Sequence, residues 1–115
     1  MTGFNFAPVP ANTVEAAITF SASGDNTLVA AGAATQVVRI YRIFLVAAGA
    51  TNLTFKSGAS TSLSGAIPMS ANGSIVLDMD GGEPWFTCAA GQAFVLNSSN
   101  AVQVSGMVYS TISGF

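Results

Sequence analysis

The side chains that could do chemistry are few, and most of them stand in one acidic segment. This segment is Asp78-Met-Asp80-Gly-Gly-Glu83. Carboxylates at this spacing could bind calcium through oxygen ligands, and a carboxylate pair could serve a glycosidase. An Asp-Gly-Gly run between two strands is more typical of a loop in which Asp accepts backbone hydrogen bonds. We therefore expect a loop and predict no metal site, with incidental calcium near Asp78 and Asp80 as the alternative.

Nucleophilic catalysis finds no support in the composition. The chain contains no histidine, which removes the commonest general base and metal ligand. Its single cysteine, Cys88, has no partner for an intramolecular disulfide, and we expect it to be buried in a strand. The sequence predicts no catalytic residue, no cofactor and no enzyme, and a hydrolase using Asp78 and Asp80 is the alternative.

Charged residues are scarce. They make up 7% of the chain, the net charge is -2, and soluble domains contain about 25% charged residues. A surface so poor in ions must carry small polar residues and some apolar patches, and such patches usually indicate partners. The only basic residues, Arg39, Arg42 and Lys56, cannot supply the positive surface that phosphate binding requires. Nucleic acid is therefore not an expected partner.

Membrane insertion and export are not expected either. The longest apolar stretch, residues 43–50, is far shorter than the roughly 20 residues that span a bilayer. The first ten residues contain no basic residue ahead of an apolar run, so the sequence predicts no secretory signal.

The elements that would position any site begin with an N-terminal arm, residues 1–13. Phe4 and Phe6 precede two alternating prolines, Pro8 and Pro10, which favour an extended chain and exclude a helix. The two phenylalanines either pack onto their own domain or reach a neighbouring subunit. Residues 14–115 are predicted to form one domain.

Short apolar runs separated by Gly, Asn and Ser follow the arm. This rhythm predicts an all-β domain, a two-sheet antiparallel β-sandwich of about nine strands. The predicted strands are residues 15–20, 27–30, 36–47, 52–56, 63–69, 74–79, 85–88, 93–97 and 102–112. Asn72-Gly73 lies between two of them and predicts a tight hairpin, because both central residues of a type I′ turn take positive φ.

The strand over residues 36–47 has the clearest pattern. Strict alternation places Arg39 and Arg42 on opposite faces, and both faces are otherwise largely apolar. We therefore expect a central strand that is covered by the opposing sheet on one side and by a neighbouring subunit on the other.

Aromatic side chains suggest a second kind of surface. Trp85, Tyr41 and Tyr109 could form a platform on which sugars stack, provided that they are exposed. This is the basis of the alternative function, a tail-associated receptor-binding or glycan-binding β-domain.

A resemblance to a known group of proteins covers about two thirds of the chain. It is carried by residues 38–47 (VRIYRIFLVA), 52–58 (NLTFKSG), 63–68 (LSGAIP), 71–73 (ANG), 84–87 (PWFT), 91–98 (GQAFVLNS) and 102–106 (VQVSG). These stretches resemble small phage-encoded virion proteins of the head decoration, or cement, type, which have a jelly-roll sandwich. Pro84 and Cys88 depart from that group's pattern, and the N-terminal arm has no counterpart in it.

The resemblance implies a structural virion protein. It implies a homotrimer at local three-fold positions on the outer capsid surface, assembled in the host cytoplasm, with the major capsid protein of the same virus as partner. Linked copies raise the effective concentration of each further contact, and few ions keep the desolvation cost of an interface low. The candidate interface residues are Phe4, Phe6, Pro8, Pro10, Tyr41 and Trp85.

Overall fold

The computed structural model describes residues 13–78 and 83–114, so most of the predicted arm lies outside the described part. These residues form ten strands and no helix. The strands are β1 Val14–Phe20, β2 Gly24–Val29, β3 Val37–Ala47, β4 Thr51–Ser57, β5 Thr61–Ser62, β6 Ile67–Met69, β7 Gly73–Leu77, β8 Phe86–Thr87, β9 Phe94–Ser98 and β10 Val104–Ser113. No segment of the described chain is a helix that could cross a bilayer.

The strands form two antiparallel sheets of five strands each. The first sheet has the order β1-β10-β3-β7, with β8 also paired to β3, and the second has the order β2-β9-β4-β5, with β6 also paired to β4. The pairs β1–β10, β2–β9, β3–β7 and β4–β5 nest inside one another and alternate between the sheets, which is the topology of a jelly roll. The predicted all-β jelly-roll sandwich is confirmed, with ten strands where about nine were expected.

The core lies between the sheets and is centred on three aromatic rings. Phe55 of β4 lies 4.8 Å from Phe86 of β8 and 5.7 Å from Phe94 of β9, measured between ring centroids. These distances suit aromatic pairs, and the rings join both sheets. Cys88 is buried in the same core, as predicted, but it follows β8 instead of lying within a strand. Burial raises the pKa of its thiol.

A β-bulge in β3 changes which side chains reach the core. Tyr109 of β10 pairs with Arg42 and Ser110 pairs with Ile40, so Tyr41 is an extra residue in the ladder. The core receives Val38 and Ile40 before the bulge, but Ile43, Leu45 and Ala47 after it. The prediction that Arg39 and Arg42 lie on opposite faces was therefore wrong, because both lie on the outer side. The prediction of a central strand is confirmed, since β3 lies between β10 and the β7 and β8 pair.

The single strand predicted over residues 63–69 was also wrong. The chain leaves the ladder after β5 because the amides of Leu63 and Ser64 both donate to the carbonyl oxygen of Phe55, at 2.7 and 3.2 Å. The next strand, β6, begins at Ile67. Two short strands therefore replace one longer strand at this edge of the second sheet.

The turn at Asn72 is not the predicted hairpin. Asn72 has a φ of 64°, but Gly73 is not in the left-handed region, and its amide donates to the carbonyl oxygen of Ser70 at 2.9 Å. The flanking strands, β6 and β7, belong to different sheets. The turn therefore carries the chain from one sheet to the other.

Candidate interaction surface

The acidic segment yields one ion pair in the described residues. The Nε atom of Arg42 lies 2.7 Å from a carboxylate oxygen of Asp78, which follows β7, while Asp80 lies outside the described residues. Residues 13–78 and 83–114 contain no group of three or more acidic, histidine or cysteine side chains that could hold a metal ion.

An apolar row crosses the outer face of the first sheet. The strand registers place Ala17 opposite Met107, Met107 opposite Phe44, and Phe44 opposite Val76. Phe44 and Val76 are 45% and 67% exposed. Single apolar residues at a surface are ordinary, but contiguous ones mark interaction sites. We refer to these four residues as the apolar row.

A charged row borders the apolar row on one side. Glu15 pairs with Tyr109, and Tyr109 pairs with Arg42, whose ion pair with Asp78 extends the row across the sheet. The guanidinium carbon of Arg42 lies 5.4 Å from the centroid of the Tyr109 ring, within cation–π range. The ionic groups of this row therefore have partners within the chain.

A row of three hydroxyl side chains and one apolar side chain, Val46, borders the apolar row on the other side. Thr19 pairs with Ser105, Ser105 with Val46, and Val46 with Ser74. The side-chain amide of Gln103 donates to the hydroxyls of Thr19 and Ser105, at 3.1 and 3.0 Å. The face thus has an apolar centre and a polar rim, which is the general anatomy of protein interfaces.

The outer face of the second sheet is different. Lys56 forms an ion pair with Asp25 at 3.1 Å, and the side-chain amide of Asn97 donates to the same carboxylate at 2.8 Å. The hydrogen bonds from Asn97 and then from Lys56 lower the pKa of Asp25. Six large apolar side chains are exposed in the described residues; three of them, Phe44, Val46 and Val76, lie on the outer face of the first sheet, and none belongs to the second sheet. The two outer faces are therefore chemically unequal.

The link between Glu15 and Tyr109 makes the charged row testable by titration. The Tyr109 hydroxyl donates a hydrogen bond to the Glu15 carboxylate, and this bond, together with the negative charge of Glu15, raises the pKa of Tyr109. The bond is therefore present below the ordinary tyrosine pKa and is lost as the pH rises through the raised value. In a Tyr41→Phe background, Tyr109 is the only tyrosine left in the chain, so a spectrophotometric titration reports its pKa alone. Glu15→Gln should lower this pKa. Asp25→Asn, on the other outer face, should leave it unchanged, and the same pKa in all three proteins would contradict the link.

The predicted interface residues fall in different places. Trp85 is 47% exposed and lies before β8, where its indole N–H donates to the carbonyl oxygen of Asp78 at 2.7 Å. Tyr41 is 8% exposed, so it offers little surface to a sugar or a protein. The others lie outside the described residues: Phe4, Phe6, Pro8 and Pro10.

Sequence reasoning did not single out the apolar row. Its members come from β1, β10, β3 and β7, and only the register of four strands brings them side by side. Comparison with known proteins gave no further guide, because no protein family, curated protein or solved structure matches the chain.

Proposed function

We propose that the chain is a structural virion protein that decorates a capsid. It binds the outer surface of the shell as a homo-oligomer, favoured as a trimer, and stabilises the shell by tying capsomers together. The observation that carries this proposal is the apolar row on one outer face of a sandwich whose other outer face is polar. Jelly rolls occur in viral capsid proteins and in lectins, so the fold is compatible with this setting without defining it.

The chemistry of the face suits burial against a protein. The apolar row brings no ion into an interface, so it avoids the desolvation cost of a charged surface. Arg42 is already paired with Asp78, and Tyr109 with Glu15, so these groups can approach a partner at the rim without becoming unpaired. The partners are other copies of the chain and the major capsid protein, and the sequence resemblance to head decoration proteins supports both.

Oligomerisation makes shell binding tighter. When copies are joined, the first contact with a shell raises the effective concentration of the remaining copies at their own sites. A weak contact per copy then becomes a stable attachment, provided that the spacing of copies matches the symmetry of the shell. A homotrimer at local three-fold positions satisfies this condition.

A charge in the centre of the apolar row should abolish tight shell binding. Phe44→Glu leaves an unpaired carboxylate at the interface, and losing a central contact costs 2 kcal/mol or more, or roughly thirtyfold in affinity. The measurement is cosedimentation of the purified protein with undecorated shells. Phe44 is 45% exposed, so the variant should fold, which thermal unfolding checks.

The matched control is Thr27→Glu, which places the same charge on the outer side of β2 in the second sheet. It should bind shells like the unmodified protein. Equal binding by both variants would contradict a contact through the apolar row. Failure of the unmodified protein to bind shells at micromolar concentration would contradict the proposed function.

A tail-associated receptor-binding or glycan-binding domain is the second candidate, and the exposed ring of Trp85 favours it. Half of this indole is free to stack on a sugar, although its N–H is already bonded to the Asp78 carbonyl oxygen. This function requires binding to a glycan array that is lost in Trp85→Ala, together with no binding to shells.

A further inference from the structure

An open apolar cavity of about 320 Å³ lies where the edge strands of the two sheets meet. Val14 of β1, Leu28 of β2 and Ile112 of β10 contribute to its wall, and Ser110 supplies the only side-chain hydroxyl. None of the lining side chains is charged. Val14 and Ile112 are both exposed large apolar residues. The cavity is thus suited to an uncharged, apolar occupant.

We infer that this cavity binds the N-terminal arm of a second copy of the chain, with Phe4 and Phe6 as the side chains that fill it. Residues 1–12 contain no charged side chain, so their chemistry matches the wall of the cavity. An engineered apolar cavity of about 150 Å³ holds one benzene molecule. A volume of 320 Å³ therefore has room for two phenyl rings. The inference rests on the proposed function, because that function requires joined copies and the arm supplies a contact that joins them.

The position of Val14 favours the arm of another copy over the chain's own arm. Val14 lines the cavity, and only residues 11–13 separate it from Pro10. If the chain's own arm turned back along β1, Pro10 would come opposite Val14, and Phe6 would be carried beyond the cavity towards Ile18. An extended arm from a neighbour has no such restriction, since Phe4 can lie roughly 31 Å from its own Val14 at about 3.1 Å per residue.

The backbone of the arm also suits an edge strand. Among the described residues, β1 pairs with β10, and an added strand would lie along the opposite edge of β1. Pro8 and Pro10 are two residues apart and would place their missing N–H groups on the same side of an added strand. Ala7, Val9 and Ala11 would keep their N–H groups on the opposite side, towards β1. Strand addition would give the phenylalanines a fixed register over the cavity.

Disulfide trapping between single-cysteine chains tests this inference directly. In a Cys88→Ala background, full-length Phe6→Cys is mixed with full-length Leu28→Cys under mild oxidation. The expected result is a covalent heterodimer on a non-reducing gel. The control pair, Phe6→Cys with Asn72→Cys, should give only background cross-linking because Asn72 lies in a turn away from the cavity. A chain carrying both Phe6→Cys and Leu28→Cys that forms only an intrachain disulfide would overturn the inference in favour of the chain's own arm.

Removing the two rings should weaken self-association. Phe4→Ala/Phe6→Ala is expected to raise the dissociation constant of the oligomer at least tenfold in sedimentation equilibrium, whereas Asn5→Ala should leave it unchanged. Equal association of all three proteins would overturn the inference.

Shell binding is measured on the same samples. If the heterodimer fails to form while shells are bound, only the arm site fails. If the heterodimer forms but no shell is bound, the proposed function fails and the arm site stands.

Discussion

Gly106→Ala should destabilise the protein by about 3 kcal/mol or more. Gly106 of β10 lies opposite Leu45 of β3, in the pair of long strands at the centre of the first sheet. A Cβ atom at this position would collide with the carbonyl oxygen of Phe44 and would lie 2.7 Å from the Cα atom of Leu45. Both atoms belong to backbone, which cannot rotate aside as a side chain can. One methyl group must therefore separate the two strands and disrupt their hydrogen bonds.

Equilibrium unfolding in denaturant measures this effect. The matched control is Gly65→Ala, because nothing lies within 4 Å of a Cβ atom built at Gly65. The control should change the free energy of unfolding by no more than about 0.5 kcal/mol. Similar free energies of unfolding for both variants would contradict the close approach of β10 to the backbone of β3 at Gly106.

Phe55→Ala should cost about 4 kcal/mol of stability. Phe55 is almost fully buried and packs against Phe86 from the first sheet and Phe94 from the second. Removing the ring loses the free energy gained by burying it and the two aromatic contacts. The cavity left behind cannot close easily, because its walls are strands fixed in two different sheets.

Phe44→Ala is the control that separates the loss of a buried phenyl ring from the loss of a phenyl ring at the surface. It removes the same side chain from the outer face of the first sheet, where Phe44 is about half exposed. The expected loss is below about 1 kcal/mol, because little burial is forfeited. If the two substitutions had equal effects on the free energy of unfolding, the core would not be centred on Phe55.

The sequence was informative about the fold because local patterns decided it. Gly, Asn and Ser between short apolar runs predicted a two-sheet sandwich, and the apolar character of both sides of residues 36–47 predicted a central strand. The bulge at Tyr41 was not predictable, because an extra residue in a ladder depends on how β3 pairs with β10. Because of that one residue, the side chains that point into the core after Tyr41 are the ones that strict alternation places on the opposite face. The hairpin expected at Asn72-Gly73 failed for a related reason, since pairing outside the turn placed its two strands in different sheets.

The interaction surface was harder to predict than the fold. Residue type selected Tyr41 and Trp85, yet only Trp85 is well exposed. Phe44 and Val76 are ordinary strand residues in the sequence, and only the register reveals that they are neighbours on an outer face. Surfaces of this kind depend on contacts between distant strands, so composition can indicate that an apolar patch exists without locating it.

Capsid decoration through the apolar row is tested most directly by electron cryomicroscopy of undecorated shells that have been incubated with the purified chain. Added density is expected on the outer surface of the shell, at local three-fold positions. In that density the apolar row of Ala17, Met107, Phe44 and Val76 should face another copy or the capsid protein, and the face bearing Asp25 and Lys56 should remain in solvent. Density in which the apolar row faces solvent while the second sheet contacts the shell would rule out this mode of binding, and shells that acquire no density would rule out decoration.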